Sequence, residues 1–498
     1  MNEMDTMEQA VAPKAQENAF VRWLRRPYAP SAHRIPELNG LRVLLVFIVS
    51  WYHFWQQSWL TPHVGSYSLD FLVRAGYVPV DGTILLSGFL LFLPHARAML
   101  LGEPVPGVRG FYQKRVMRIV PSYYFVTFLM LFSIALPGLW SNVSQGPVAS
   151  FGERMAWISQ TYQGDVLRYL RDWFGGLTDA YGGDAGRMWE DILRHLTFTQ
   201  TFDYATYVAT PIGVASWTIA IEMQAYLIFP LLARCARRNP LATFGMMAAA
   251  AMCFRSWSIW AMEDYNMVVN QLPNFLDVYA IGMAAALVYV KLTTLWPRDR
   301  VVQTLLSVMA TLVLILAIWG LAQLLRAHAG SSGTYGIQGG QMIRRPLFAA
   351  LIAAVALALP FALRPIRFLM GNPLMGFLAM VSMNYYLIHQ NLAVFLKQRL
   401  QLPPAANYPY PNSISYGPEQ PWADQYTAMC FGLSLLAATL ITFLIEKPGA
   451  WLLRKGFAFL NSLTDDLVAK LRRAVAPRTA TLPDVPSPSN DLNKEDLP

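Results

Sequence analysis

Long apolar runs are the feature that most constrains the fold of this chain. A helix needs about 20 mostly apolar residues to cross the hydrocarbon core of a bilayer. Runs of this length lie near residues 40–59, 77–94, 119–139, 212–233, 241–261, 272–290, 302–324, 346–363, 372–396 and 426–446. We therefore predict an all-α, polytopic integral membrane bundle of about ten transmembrane helices.

Composition and charge agree with a bilayer environment. Only 14% of the 498 residues are charged and 55% are hydrophobic, whereas a soluble domain carries roughly 25% charged residues. The formal net charge of +9 does not indicate a nucleic-acid partner, because the basic residues flank apolar runs, as membrane orientation requires. The three cysteines have no metal-ligand spacing, so we interpret Cys235, Cys253 and Cys430 as small core residues.

Topology follows from the distribution of Lys and Arg. If the N-terminus is cytoplasmic, Lys and Arg near the span ends are more numerous on the cytoplasmic side, as the positive-inside rule requires. An even number of spans then returns the C-terminus to the cytoplasm. The first twenty residues are polar and the first apolar run starts near Leu41, which is too late for a cleavable signal peptide. We interpret that run as a retained anchor.

This topology divides the chain into four regions. Residues 1–34 form a cytoplasmic N-terminal segment, and residues 35–455 form the transmembrane domain. Within it, residues 141–211 form a long extracytoplasmic segment rich in acidic and aromatic residues. Residues 456–498 form a cytoplasmic tail that begins as an amphipathic surface helix and is disordered from Pro477 onward, where Pro, Ser and Asp dominate.

Ionisable residues inside predicted spans are candidate functional residues, because burying them in a membrane is costly. Arg42 and His53 lie eleven residues apart in the first span, which puts them on one helix face, roughly 16 Å apart along the axis. Asp81 lies near the outer end of the second span, and Ser87 precedes Gly88 deep within it. The alternatives are an interfacial role for His53 and close helix packing at Ser87-Gly88.

Basic and acidic residues also mark the third and fourth spans. Arg115 and Arg118, with the adjacent Lys114, lie at the cytoplasmic end of the third span. Such a pair suits phosphate groups, although an ordinary positive-inside flank has the same appearance. Glu222 lies well inside the fourth span, where we expect an arginine or histidine partner and where a structural ion pair is the alternative. His389 is the ionisable residue of the ninth span.

Six segments in this order resemble the acyltransferase 3 family of membrane O-acyltransferases. They are Arg42 to His53, Asp81 to Phe89, Arg115 to Tyr123, Trp217 to Glu222 with Tyr226 and Pro230, Tyr386 to His389, and Ile445 to Pro448. The resemblance covers roughly residues 35–455. Asn39, Val43, Thr83, Ile84 and Ala225 depart from the usual family pattern, and these departures concern acceptor and acyl preference more than the chemistry.

The resemblance implies transfer of an acyl group, most often acetyl from acetyl-CoA, to a hydroxyl of a glycan or glycolipid. The enzyme would lie in the bacterial cytoplasmic membrane among lipids, with no permanently bound cofactor and no metal, and an extracytoplasmic partner is compatible with it. An alcohol needs a positioned base, which histidine supplies near neutral pH. His53 is therefore the candidate base, or the nucleophile of an acyl-histidine intermediate.

The other candidate residues divide between catalysis and donor binding. Arg42, Glu222 and Asp81 are assigned to the catalytic set with His53. Arg115, Arg118, Lys114 and Ser87 are assigned to the acyl-CoA site. Aromatic residues of the extracytoplasmic segment are candidates for stacking on sugars, or else form an aromatic belt at the membrane interface; they are Trp157, Tyr162, Tyr169, Trp173, Tyr181 and Trp189.

Two other classes of protein remain open on the sequence. A transporter or flippase for a small or lipid-linked solute also places polar residues within spans. A sensor or scaffold is disfavoured by the presence of both Arg42 and His53. Consumption of acetyl-CoA separates the enzyme from the transporter.

The predicted topology is testable with reporter fusions along the chain. Because Lys and Arg concentrate on the cytoplasmic side, fusions after Arg300 and near Pro477 should report a cytoplasmic location. A fusion near Gly182 should report an extracytoplasmic one. A cytoplasmic signal at Gly182 would contradict the ten-span arrangement.

Overall fold

The computed structural model describes residues 30–134, 156, 159–207, 210–213, 216–263, 265–333, 335–400, 402 and 420–475. These residues form an all-α bundle, which confirms the predicted fold class. The exception is one antiparallel pair of two-residue strands, β1 (His63–Val64) and β2 (Tyr67–Ser68), in the connection after the first long helix.

The helices run in the order α1 Glu37–Ser58, α2 Asp70–Arg74, α3 Val80–Leu101, α4 Val108–Ile134, α5 Val166–Ala180, α6 Ala185–Leu196, α7 Tyr204–Tyr207, α8 Trp217–Arg238, α9 Pro240–Ala261, α10 Asn266–Val269, α11 Leu276–Thr294, α12 Arg300–Ala329, α13 Gly340–Ala358, α14 Arg364–Gly371, α15 Pro373–Arg399, α16 Ala423–Ile441 and α17 Lys447–Val475. Short 3₁₀ or π segments lie at Gln200–Phe202, Leu272–Phe275, Tyr335–Gly339, Leu359–Phe361 and Thr442–Glu446.

The described residues contain fewer candidate spans, by length and apolar composition, than the predicted ten. Among the described residues, eight helical segments are long and apolar enough to cross a membrane, or nine if α14 and α15, bent by 42°, count as one span. The predicted span near 241–261 is a helix, α9, but it is not among the eight. It carries Arg255 in its second half, and one arginine lowers the hydropathy of a span strongly.

Two buried ion pairs join α3, α9, α11 and α13. Arg255 of α9 donates to both carboxylate oxygens of Asp277 on α11, at 2.7 and 2.6 Å. Arg345 of α13 donates from Nε to Asp81 Oδ2 at 2.9 Å, and both side chains are fully buried. The Arg345 guanidinium also lies 3.9 Å from the ring centroid of Phe275. Asp81 therefore forms part of the packed core of the bundle through its ion pair with Arg345.

Small residues bring α3 and α11 close together. A Cβ atom at Gly88 would lie 2.9 Å from the backbone oxygen of Tyr279, and one at Gly282 would overlap the backbone oxygen of Leu85. The packing interpretation of the Ser87-Gly88 pair thus applies to Gly88. Ser87 instead points a hydroxyl at Glu222, as described below.

The described parts of segment 141–211, which the sequence predicts to be extracytoplasmic, and of the tail both contain helices. Residues 166–196 contain α5 and α6. The tail continues α17 to Val475 and lies along the start of α4, where Gln113 donates to Asn461 at 2.9 Å and Arg109 pairs with Asp465 at 3.2 Å. The proposed disorder from Pro477 onward falls outside the described residues.

The pair Asp81–Arg345 makes a stability prediction. Breaking a buried ion pair by removing one partner leaves an uncompensated charge and destabilises a protein by about 3–5 kcal/mol. We expect Asp81→Ala to lower the free energy of unfolding in detergent by that amount, and Asp81→Ala with Arg345→Met to recover part of the loss. Asp70→Ala removes an ion pair with Arg74 in which the Asp70 side chain is 42% exposed, so it should cost less than about 1 kcal/mol. An equal loss of unfolding free energy in Asp81→Ala and Asp70→Ala would contradict the structural role of the Asp81–Arg345 pair.

Candidate active site

A polar cavity of about 210 Å³ lies between α1, α3, α4, α8 and α15. Five residues singled out from the sequence line it together: Arg42, Ser87, Arg115, Arg118 and Glu222. Its other polar lining residues are Thr83, Thr218, Tyr226, Ser382 and Tyr386. The structure therefore brings residues from four separate sequence motifs to one site.

The three arginines of the cavity differ in how far their hydrogen-bonding groups are used. Arg42 makes no hydrogen bond or ion pair with any described residue, although Glu222 acts on it electrostatically. Arg115 lies 5.8 Å from the ring centroids of Phe111 and Tyr226, and within the described chain its buried Nε has no partner. Arg118 pairs with Glu446 at 2.5 Å. Arg42 and Arg115 thus retain donors for an anionic ligand.

Glu222 is held by hydroxyl groups. It accepts hydrogen bonds from Ser87 Oγ at 3.0 Å and from the Tyr226 hydroxyl at 2.9 Å. The expected direct ion pair with an arginine or a histidine does not occur within the part of the chain that the structure describes. Because three arginines and only Glu222 line the cavity, and Glu446 balances Arg118, the site keeps an excess of positive charge.

Glu446 is a site residue to which sequence reasoning gave no role. It lies in the π-helical turn Thr442–Glu446, a kind of turn that is frequent at functional sites. Besides Arg118, it accepts a hydrogen bond from Asn384 Nδ2 at 2.7 Å, and Asn384 also donates to Thr442 at 2.7 Å. The sequence did contain a signal for Glu446: this carboxylate lies at the end of the apolar run near residues 426–446.

His53 lies toward the other end of α1 and does not line the cavity. Its Nδ1 is 3.0 Å from Gln56 Oε1, and its ring centroid is 5.2 Å from that of His389. His389 is fully buried and donates from Nδ1 to the backbone oxygen of Tyr386 at 2.7 Å. Because the Tyr386 side chain lines the cavity, both α1 and α15 connect the cavity to the histidine pair.

Two of the proposed site residues lie elsewhere. Asp81 is fully buried against Arg345 and does not line the cavity. Lys114 is exposed on α4 and is not a lining residue either. The structure therefore brings six of the eight proposed residues to the cavity or to the adjoining histidine pair.

Most described aromatic residues of the extracytoplasmic segment are engaged in packing. Tyr162 and Tyr181 are buried, and Trp173 donates to the backbone oxygen of Phe132 at 3.2 Å. Burial, together with the charge of Asp191, raises the pKa of Tyr181, whose hydroxyl donates to that carboxylate at 2.8 Å. Trp189 is 52% exposed, and Trp157 lies outside the described residues.

The fold and the site together define a polytopic helical bundle with a cationic cavity between its helices. The chain belongs to the acyltransferase 3 family, whose acyltransferase domain matches residues 35–447. It is 22% identical over 299 residues to the acyltransferase MdmB of Streptomyces mycarofaciens, a match that spans 58% of this chain and 60% of that protein. No solved structure matches it. These comparisons confirm the family resemblance, and the chain is a member of that family with several helices long and apolar enough to cross a membrane.

Proposed function

We propose that this protein transfers an acyl group, in the first place acetyl, from cytoplasmic acyl-CoA to a hydroxyl of a glycan or glycolipid acceptor. The observation that carries the proposal is a cavity in which Arg42 and Arg115 keep unused guanidinium donors. On the same helix as Arg42, a histidine follows eleven residues later. Family membership supplies the reaction class.

The donor's phosphates are assigned to the cationic cavity. Guanidinium groups bind phosphate oxygens through paired, charge-assisted hydrogen bonds. Arg42 and Arg115 have donors left for this purpose, whereas Arg118 shares its guanidinium with Glu446. Arg118 therefore contributes positive charge and part of the cavity lining. Ser87 holds the Glu222 carboxylate in place through its hydrogen bond.

The distance between the two parts of the site suits coenzyme A. Arg42 and His53 lie in one continuous helix, α1, so their separation is roughly 16 Å along the axis. In acyl-CoA the phosphates and the thioester lie at opposite ends of the extended pantetheine arm. Phosphates near Arg42 then place the thioester toward His53.

Transfer requires removal of the acceptor's hydroxyl proton. In the base mechanism His53 takes this proton, the hydroxyl oxygen bonds to the thioester carbonyl carbon, and the carbon–sulfur bond breaks. The CoA thiolate then takes the proton from the imidazolium. In the nucleophilic mechanism His53 attacks the thioester carbonyl carbon, and CoA leaves as the thiolate. The acceptor oxygen then bonds to the acyl carbon, the bond from that carbon to the His53 nitrogen breaks, and the hydroxyl proton passes to the CoA thiolate. Asp81 acts in either case by holding α3 in place.

The proposed topology uses ten spans and places both termini in the cytoplasm of a bacterial cell. Eight segments, the bent pair α14–α15 and α9 together make ten. The Phe244 ring near the start of α9 lies 6.2 Å from that of Phe92, and Arg255 bonds to Asp277 near the level of Asp81. These contacts support an α9 that runs antiparallel to α3 across the bundle, with its one charged residue neutralised.

Donor binding can be tested by measuring acyl-CoA affinity in purified protein. A hydrogen bond to a charged group is worth about 1.5–3 kcal/mol, so Arg42→Ala and Arg115→Ala should each weaken binding about tenfold or more. Arg109→Ala is the matched control. It removes a positive charge from α4, the helix that carries Arg115, but the Arg109 side chain is 49% exposed and lies outside the cavity. Unchanged affinity in both cavity variants would refute the phosphate assignment.

Catalysis can be tested through His53 with labelled acetyl transfer, or with slow acetyl-CoA hydrolysis if no acceptor is at hand. His53→Gln keeps a hydrogen-bonding side chain but cannot accept a proton near neutral pH, so turnover should fall about a hundred- to ten-thousandfold. Affinity for acyl-CoA should persist, because the cavity is unaltered. Near wild-type turnover in His53→Gln would move the chemistry elsewhere, with His389 the next candidate. Absence of any donor turnover in the wild type would favour a transporter.

A further inference from the structure

Gln56 connects His53 to a short chain of hydrogen bonds on one face of α1. Its side-chain oxygen lies 3.0 Å from His53 Nδ1, and its side-chain nitrogen donates to the Tyr52 hydroxyl at 2.7 Å. Residues three and four apart are neighbours on a helix surface, so the three side chains meet without distortion. Gln56 is buried, with 9% of its surface exposed.

The donor and acceptor groups of this chain fix the proton on His53. An amide oxygen only accepts hydrogen bonds, so with Gln56 Oε1 facing the ring, Nδ1 of His53 must carry the hydrogen. Nε2 is then left with a free lone pair. Among the described side chains, Gln56 is the one hydrogen-bond partner of His53.

The neighbouring histidine does not offer an alternative way to set this tautomer. His389 donates its own Nδ1 hydrogen to the Tyr386 backbone oxygen, and its buried Nε2 has no hydrogen-bond partner in the described structure. In the neutral state it therefore has no N–H group to offer to His53. The rings are in contact, with centroids 5.2 Å apart.

We propose that Gln56 is a positioning residue that holds His53 in the tautomer protonated on Nδ1, so that Nε2 is the reacting atom. This inference rests on the proposed role of His53 in acyl transfer. Partners of this kind fix the tautomer and the ring orientation of functional histidines. The amide oxygen also faces the positive charge that develops when Nε2 takes a proton or an acyl group.

The tautomer can be read directly by nitrogen NMR on full-length protein labelled with ¹⁵N-histidine in lipid nanodiscs. The signals of His53 are those that disappear in His53→Ala. We expect Nδ1 protonated and Nε2 bare in the wild type. In Gln56→Met, which has similar length but no amide acceptor, the population should shift toward the Nε2-protonated form that free histidine prefers. A wild-type His53 protonated on Nε2 would overturn the inference without any variant of Gln56.

Kinetics provide the second measurement. In metal sites, loss of the residue that orients a ligating histidine typically lowers metal affinity or activity about ten- to a hundredfold. Because Gln56 orients His53 in the same way, we expect a similar fall in kcat for Gln56→Met. KM for acetyl-CoA should change little, since Arg42 and Arg115 are untouched. Gln56→Glu keeps an oxygen opposite Nδ1 and should recover most of the rate. Gln57→Met is the matched control, because in the described structure its side chain makes no hydrogen bond with His53, so kcat should stay unchanged.

The outcomes separate this inference from the proposed function. If His53→Ala keeps full turnover, the proposed catalytic role of His53 fails, while the NMR result still reports whether Gln56 sets the tautomer. If His53→Ala is inactive but Gln56→Met has wild-type kcat and an unaltered tautomer, the positioning role fails alone. A Gln56→Glu variant as slow as Gln56→Met would also count against it.

Discussion

The energetic penalty for a charge in an apolar bundle determines which residues of this protein are structural and which are left for chemistry. A buried charge must be paired and hydrogen-bonded. Arg255 with Asp277, and Arg345 with Asp81, meet that requirement and hold four helices together. Arg118 and Glu446 do the same between α4 and the turn before α17. Once these pairs are made, the cavity arginines with unused donors are Arg42 and Arg115 within the described chain.

Two helices carry the geometry of the site. α1 holds Arg42 in the cavity and His53 beyond it, and the rigid spacing of one helix fixes the distance between them. α15 repeats the arrangement, with the Tyr386 side chain in the cavity and His389 beside His53. Movement of either helix would therefore displace both parts of the site together, which keeps the cavity and the histidine pair at a constant separation.

The sequence predicted the long helices and much of the cavity, because both depend on local patterns. Long apolar runs define spans, and a charged residue inside one of them must face the interior. This reasoning predicted that Arg42 and Glu222 face the interior, and both line the cavity. It could not identify the partner of Asp81, because Arg345 lies 264 residues away in the chain. Gln56 escaped notice because a neutral amide near a helix end is inexpensive and leaves no pattern. Length and composition alone leave α9 out of the candidate spans, because its one arginine lowers its hydropathy and the neutralising carboxylate lies on another helix.

The separation of the cavity from the histidine pair has a consequence for specificity. In the proposed reaction the phosphates at Arg42 and Arg115 are common to every acyl-CoA, so the cavity would select for coenzyme A and not for the acyl group. Discrimination between acyl chains must then arise near His53, where the surroundings are aromatic: the ring centroids of Tyr52 and His389 lie 4.8 and 5.2 Å from that of His53. A tightly packed interior tolerates added methylene groups poorly. In the proposed reaction, aromatic rings this close to His53 would therefore favour a short acyl group such as acetyl.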